Sequence, residues 1–393
     1  MLNTPFSPWP AFSEEEGDAV KDVLLSNRVN YWTGQECREF EKEFAAFADC
    51  SHAIALGNGT QALEVALHAL GVQPGDEVIT TPRTYLATAS AIVMLGAIPV
   101  FADVDRNSQN ITAESIEAVR TPKTKAVIVV HLAGMPAEMD AIMALASEHA
   151  LKVIEDCAQA HGAKYKGRSV GSIGDIGAWS FCQDKIMSTG GEGGMVTTSD
   201  ESLWSTMWSR KDHGKSYQAV YEQEHPPGFR WLHNSFGTNM RMLEMQAVIG
   251  RIQLKRMPDW MARRQANSKA IDAVAKRFSV VRTVVVPPHL EHACYKHYLF
   301  VNRGFLAENW TRDRIVDEVT KRGVPCMQGS CSEVYQEKAF DDTVWRPQSR
   351  LETARELGDS SLMFLVHPTL TDAEIEKTCK VLQEVLPAAS RRD

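Results

Sequence analysis

The chain has 393 residues, 44% of them hydrophobic and 23% charged, and a net charge of −8. That length exceeds one small core and predicts two domains, and charge spread without a basic block argues against nucleic acid as a partner. Eight scattered cysteines with no Cys-x-x-Cys pair, no signal peptide at Met1-Leu2-Asn3-Thr4-Pro5 and no apolar run approaching ~18–20 residues predict a reduced, cytoplasmic protein that does not span a membrane.

From about residue 40 to residue 196, strand-like and helical stretches alternate, as in an α/β layer. Ala62, Leu63, Ala66, Leu67 and Leu70 recur at helical spacing after Thr60. Glu77-Val78-Ile79-Thr80 reads as a short strand ended by Thr81-Pro82. A helix then closes at Gly96, and Ile98-Pro99-Val100-Phe101 is strand-like. Lys125-Ala126-Val127-Ile128-Val129-Val130 is a near-continuous apolar run, suited to a parallel strand covered on both faces. Met139, Ile142, Met143 and Ala146 form a helical stripe. Val153-Ile154 then leads into Glu155-Asp156, placing a carboxylate where open α/β sheets bind ligands.

Residues 244–254 and 259–278 read as two helices, the second a polar-faced connector. Residues 280–286 and 298–301 are strand-like, and residues 312–321 and 372–386 helical. The pattern predicts a large α/β domain over residues 1–260, its sheet mostly parallel and lying between helices. A smaller α+β domain follows over residues 261–393.

Three segments carry chemistry. Gly57-Asn58-Gly59-Thr60 precedes a strong helix, where glycines admit an anion to first-turn N–H groups; an ordinary turn with Thr60 as N-cap is the alternative. Asp156 and Gln159 stand three apart beyond a strand. The carboxylate suits a pyridine nitrogen and the amide a ring hydroxyl, unless the pair merely caps a helix. Lys185 follows Ser180-Phe181 and precedes Gly190-Gly191-Glu192-Gly193-Gly194. Trp179, Phe181, Ile186 and Met187 would give it the apolar setting of a Schiff-base lysine, although a lone lysine also suits a solvated surface. Tyr85 is either a ring to stack on a cofactor or a half-buried aromatic. His131, His161 and His213 lack metal-ligand spacing, so no metal is assigned. Amine, carboxylate and phosphate cradle together point to pyridoxal 5′-phosphate.

The chain resembles the DegT/StrS-type sugar aminotransferases, a branch of the fold-type I pyridoxal-phosphate enzymes, along nearly its whole length. The motifs are Phe40-Glu41-Lys42-Glu43-Phe44-Ala45, Gly75-Asp76-Glu77-Val78-Ile79-Thr80, Pro99-Val100-Phe101-Ala102-Asp103-Val104-Asp105, Ala158-Gln159-Ala160-His161-Gly162-Ala163 and Gly191-Glu192-Gly193-Gly194. The resemblance implies Lys185 as the Schiff-base lysine, Asp156 as the pyridinium partner and Gln159 near the ring oxygen. It puts Tyr85 on the ring face and Gly59, Thr60, Gln61 and Ser180 at the phosphate. It also implies that Asn239, in Gly237-Thr238-Asn239-Met240-Arg241-Met242, reaches the phosphate of a neighbouring subunit, hence a homodimer with shared sites. Cys182 departs from the histidine or tyrosine of many members.

The implied reaction moves an amino group from an amino acid, with L-glutamate the family expectation, to a keto-sugar, most commonly nucleotide-linked and serving surface-polysaccharide or lipopolysaccharide synthesis. A free keto-sugar, such as a keto-inositol or an octulosonate-type acid, is the runner-up. A pyridoxal-phosphate-binding sensor protein is the alternative from another class. Dehydratase relatives replace the lysine with histidine, and Lys185 therefore argues for amino transfer.

Overall fold

A seven-stranded sheet organises the first half of the chain in a computed structural model, which describes residues 5–224, 228 and 231–391. Residues 1–4, part of the opening expected to carry no signal peptide, lie outside the described residues. In chain order the strands are β1 (His52–Leu56), β2 (Glu77–Thr80), β3 (Ile98–Phe101), β4 (Thr124–Val130) and β5 (Lys152–Asp156). A small hairpin of β6 (Lys164–Tyr165) and β7 (Arg168–Ser169) follows, then β8 (Ile176–Ser180) and β9 (Gly194–Thr198).

The sheet order is β1-β9-β8-β5-β4-β2-β3. Strands β3, β2, β4, β5 and β8 pair in parallel, and β9 is antiparallel to both its neighbours. The apolar run in β4 is buried from Ala126 to Val130, because the sheet's centre is covered on both faces. Pro99 lies in the edge strand β3, where a missing N–H costs least. The helix Ala87–Met94 stops where Gly96 adopts φ 77°, with Ala97 N bonded back to the Ile92 carbonyl.

Five further strands are β10 (Val281–Thr283), β11 (Leu290–Glu291), β12 (His297–Val301), β13 (Cys326–Met327) and β14 (Ser361–Phe364). Four form an antiparallel sheet, β10-β12-β14-β13, while β11 pairs with β6. The helices Arg312–Lys321 and Asp372–Ala389 contribute Ile315, Val319, Val381 and Leu386 to its core. The strand expected over residues 280–286 is shorter because Asn107 bonds both the N–H and the carbonyl of Val285. Among the described residues, no helix is long and apolar enough to cross a membrane.

Residues 244–254 and 259–278, expected as two helices, are one helix, Glu244–Ala275, of 32 residues that passes through Pro258. Burial of Gln253, Met257, Arg264, Asn267 and Ile271 on both sides of the proline outweighs the backbone bond that Pro258 cannot make. The division expected at residues 260/261 therefore falls inside a continuous helix.

Candidate active site

A cavity of about 870 Å³ opens beyond the carboxyl ends of β4, β5 and β8, the end of an open α/β sheet that binds ligands. Gly59, Thr60, Gln61, Tyr85, Asp156, Gln159, Ser180 and Lys185 all line it. Asn239 does not: it is exposed elsewhere on the same chain, its Oδ1 accepting from Arg241 N.

One side of the cavity is the start of the helix Gly59–Ala69. Its N-cap is Asn58, not Thr60: Asn58 Oδ1 accepts from Gln61 N at 2.9 Å. A Cβ on Gly59 would stand 2.6 Å from Ser180 Cβ, and one on Gly194 would stand 2.3 Å from the Asn58 carbonyl oxygen. Glycine at both positions lets the helix start approach the ends of β8 and β9. That contact gathers leftover first-turn N–H groups and the Ser180 hydroxyl at one place.

Asp156 ends β5 and is buried. Its Oδ2 accepts from Thr88 Oγ1 at 3.0 Å and its Oδ1 from Ala158 N at 3.1 Å, and Thr88 itself lies 3.0 Å from the Thr84 hydroxyl. Burial pushes the Asp156 carboxyl up from its ordinary range, against the pull of these donors and of Lys185. Such a carboxylate gains most from a cation brought to it. Gln159 is held through Oε1, which accepts from Ala133 N at 2.8 Å, so its amide nitrogen remains to donate.

Lys185 Nζ lies 3.8 Å from Asp184 Oδ1 and 5.4 Å from the centroid of the Tyr295 ring. Trp179, Phe181, Ile186 and Met187, near it in the sequence, are fully buried, and Trp9 Nε1 donates to the Lys185 carbonyl at 2.8 Å. The Tyr295 hydroxyl donates to Asp184 Oδ2. Burial would raise the Asp184 carboxyl, but Lys185, this hydroxyl and Lys296 hold it below its ordinary range. Tyr85 is 73% exposed, a cavity-lining ring that the chain itself leaves uncovered.

Residues 295–298 bring Tyr295 and Lys296 into the cavity, whereas residues 30–34 do not line it. Tyr31 is buried, and Trp32 packs on Trp208 and Tyr221. Sequence reasoning passed over Thr88, which lies in the first turn of the helix Ala87–Met94 with its hydroxyl 3.0 Å from that of Thr84 in the preceding bend. It also passed over Trp9, for which no local signal exists. His131, Glu155 and Cys157 form the one trio with metal-ligand geometry among the described residues. Its polar atoms are committed internally, since Glu155 accepts from His131 Nε2 and from Ile173 N and Gly174 N, while Ala137 N donates to His131 Nδ1.

A buried carboxylate, an amine, an uncovered ring and a helix start that attracts anions fit a phosphorylated pyridine aldehyde. The model of the DegT/DnrJ/EryC1/StrS aminotransferase family matches residues 10–383. The chain belongs to that family. DegT/DnrJ/EryC1/StrS aminotransferases use pyridoxal 5′-phosphate, and this chain is a pyridoxal-phosphate-dependent aminotransferase of the fold-type I architecture.

The aminotransferase from Psychrobacter cryohalolentis, known from an X-ray structure, is similar with 61% identity and a TM-score of 0.95, over 98% of this chain and 100% of that one. GDP-perosamine synthase of Caulobacter vibrioides is 35% identical over 96% of this chain and 97% of its own. The UDP-N-acetyl-3-dehydro-alpha-D-glucosamine 3-aminotransferase of Acidithiobacillus ferrooxidans is 35% identical over 91% and 90%.

Proposed function

We propose that this enzyme transfers an amino group from L-glutamate to the ketone of a nucleotide-linked sugar. The observation that carries the reading is one cavity holding the Lys185 amine, the buried Asp156 carboxylate and the glycine-approached helix start. Support for the sugar comes from two relatives over nine-tenths or more of the chain, both named for nucleotide-linked amino sugars.

When bound, pyridoxal phosphate supplies an aldehyde to carry the amino group and a ring that accepts electrons from the reacting carbon. Lys185 Nζ takes the proton from that carbon and returns it on the other side of the transfer. Asp156, its orientation fixed by Thr88 and Ala158 N, would hold its negative charge against the ring nitrogen. Gln159 would donate to the ring oxygen and Tyr85 would cover one ring face. Gly59, Thr60, Gln61 and Ser180, which line the cavity, would hold the phosphate. Asn239, exposed away from its own cavity, completes the phosphate site of a second copy.

The test has two halves. Adding L-glutamate to the holoenzyme should abolish the long-wavelength absorbance of the lysine-bound cofactor. Nucleotide-linked keto-sugars should then restore it, while the matching free keto-sugars do not. Restoration by free keto-sugars alone would overturn the nucleotide-linked reading.

A further inference from the structure

Lys296 is the one basic side chain besides Lys185 that lines the cavity among the described residues. Its Nζ lies 4.8 Å from the centroid of the Tyr295 ring, and Lys185 Nζ lies 5.4 Å from the same centroid. The two amines therefore flank a single phenol. Lys296 makes no hydrogen bond or close ion pair with any described residue.

The segment that carries Lys296 is held on two sides. Ala293 N and Tyr295 N donate to the carbonyls of Gly134 and Ala133 at 2.9 and 3.0 Å, and the Tyr295 hydroxyl donates to Asp184. Arg264 Nη1 donates to the Cys294 and Tyr295 carbonyls at 3.5 and 3.3 Å. Arg264 is fully buried, and its Nε and Nη2 have no hydrogen-bond partner among the described residues, its guanidinium lying 5.1 Å from the centroid of the Trp9 ring. Lys185 and Arg264 both act electrostatically on Lys296, and Asp184 is the carboxylate that faces it, while Glu64 and Glu192 stand elsewhere on the cavity wall. Asp184 is already committed to Tyr295 and Lys185. The Lys296 amine is left without a carboxylate of its own.

We propose that Lys296 holds the α-carboxylate of the amino donor while Lys185 works on the α-carbon beside it. The inference rests on the proposed amino transfer but not on the identity of the sugar. Every α-amino acid bears its carboxylate one bond from the carbon that loses a proton. A cation close to Lys185 suits that carboxylate, and among the described residues of one chain Lys296 is the basic side chain that supplies it on the cavity wall. Burial, aided by Arg264 and Lys185, brings the Lys296 amine down to about 8 against the opposing pull of Asp184. Donor capture should accordingly weaken as pH rises through that value, because the amine is cationic below it and neutral above.

The experiment compares wild type with Lys296→Met, Lys296→Gln and Lys296→Arg as holoenzymes. Two quantities are read: the L-glutamate concentration that half-saturates single-turnover amination of the cofactor, and the calorimetric dissociation constant of 2-methylglutamate, which has no α-hydrogen to lose. Both should rise at least ~10-fold in the Met and Gln variants, as expected for loss of a charge-assisted contact. The Arg variant should recover most of the affinity, and discharge of the aminated form by a keto-sugar should change less than about twofold. Unchanged glutamate saturation and 2-methylglutamate binding in both neutral variants would overturn the proposal. So would slowing confined to the sugar half, which would place the anion on the sugar. Failure of every nucleotide-linked sugar, with glutamate loading still dependent on Lys296, would sink the sugar reading alone.

Discussion

At the scale of single residues, Lys185 carries the heaviest load. Lys185→Ala should fold and retain cofactor by its phosphate and ring contacts, but lose turnover by at least ~10³-fold, since covalent capture and proton transfer both vanish. Near-normal transamination by the purified variant would contradict the role. Thr88→Val is a subtler probe. The Thr88 hydroxyl is one of the donors that oppose the burial-driven rise of Asp156. Without it the carboxyl rises further, and Asp156 is protonated over a wider acidic range. The acid limb of cofactor binding should shift to higher pH, measured as cofactor affinity against pH. An unmoved limb would mean that Thr88 does not tune the carboxylate. Asp156 and Gln159 were legible in sequence because they follow Val153-Ile154, whose apolar character reveals a strand, and Lys185 because it stands just ahead of a glycine-rich run. Trp9 was not. Trp9 meets Lys185 and Tyr295 meets Asp184 across separations of 176 and 111 residues, and no local pattern encodes such contacts.

Among the elements, the start of the helix Gly59–Ala69 is the most exacting. Gly59→Ala would drive a Cβ to 2.6 Å from Ser180 Cβ and 3.2 Å from Ser180 Cα, and the backbone atom cannot rotate away. The helix start must retreat from β8. The variant should lose about 1–3 kcal/mol of stability and bind cofactor about tenfold more weakly. Thermal denaturation with and without cofactor checks both, and wild-type behaviour would show that the approach is not needed. The long helix teaches a different lesson. Pro258 is a sound local reason to expect a break, and residues 244–254 and 259–278 read as two helices. Buried partners on both sides of the proline override that local preference, and such partners are visible only once the chain has folded. The strand at residues 280–286 shortened for a similar reason, since Asn107 intercepts Val285 from far away in the sequence.

For the molecule as a whole, the prediction concerns the second copy. Around Asn239 the surface exposes Phe236 (96%) and Trp231 (87%), large apolar side chains that a monomer gains nothing by showing to water. A two-fold interface over this face would cover them and carry Asn239 to the partner's cavity. Sedimentation should show a dimer. Mixing Lys185→Ala with an inactivating Asn239 variant should restore part of the activity, because one composite site is then intact. A fully active monomer would refute the arrangement. The doubly layered α/β body was legible from alternating patterns. The way residues near the amino terminus tie its parts together was not.

That tie has a practical side. Ser7 bonds to Glu374, Thr369 Oγ1 donates to the Pro8 carbonyl, and Trp9 lies between Trp260 and His367 with its indole N–H on Lys185. The opening residues thus act as a splint across the back of Lys185. Translation from a downstream initiation codon, exopeptidase trimming or a bulky affinity handle fused at the front would each strain or remove that splint. Preparations differing only in their first dozen residues would then differ in cofactor retention, with nothing altered inside the cavity.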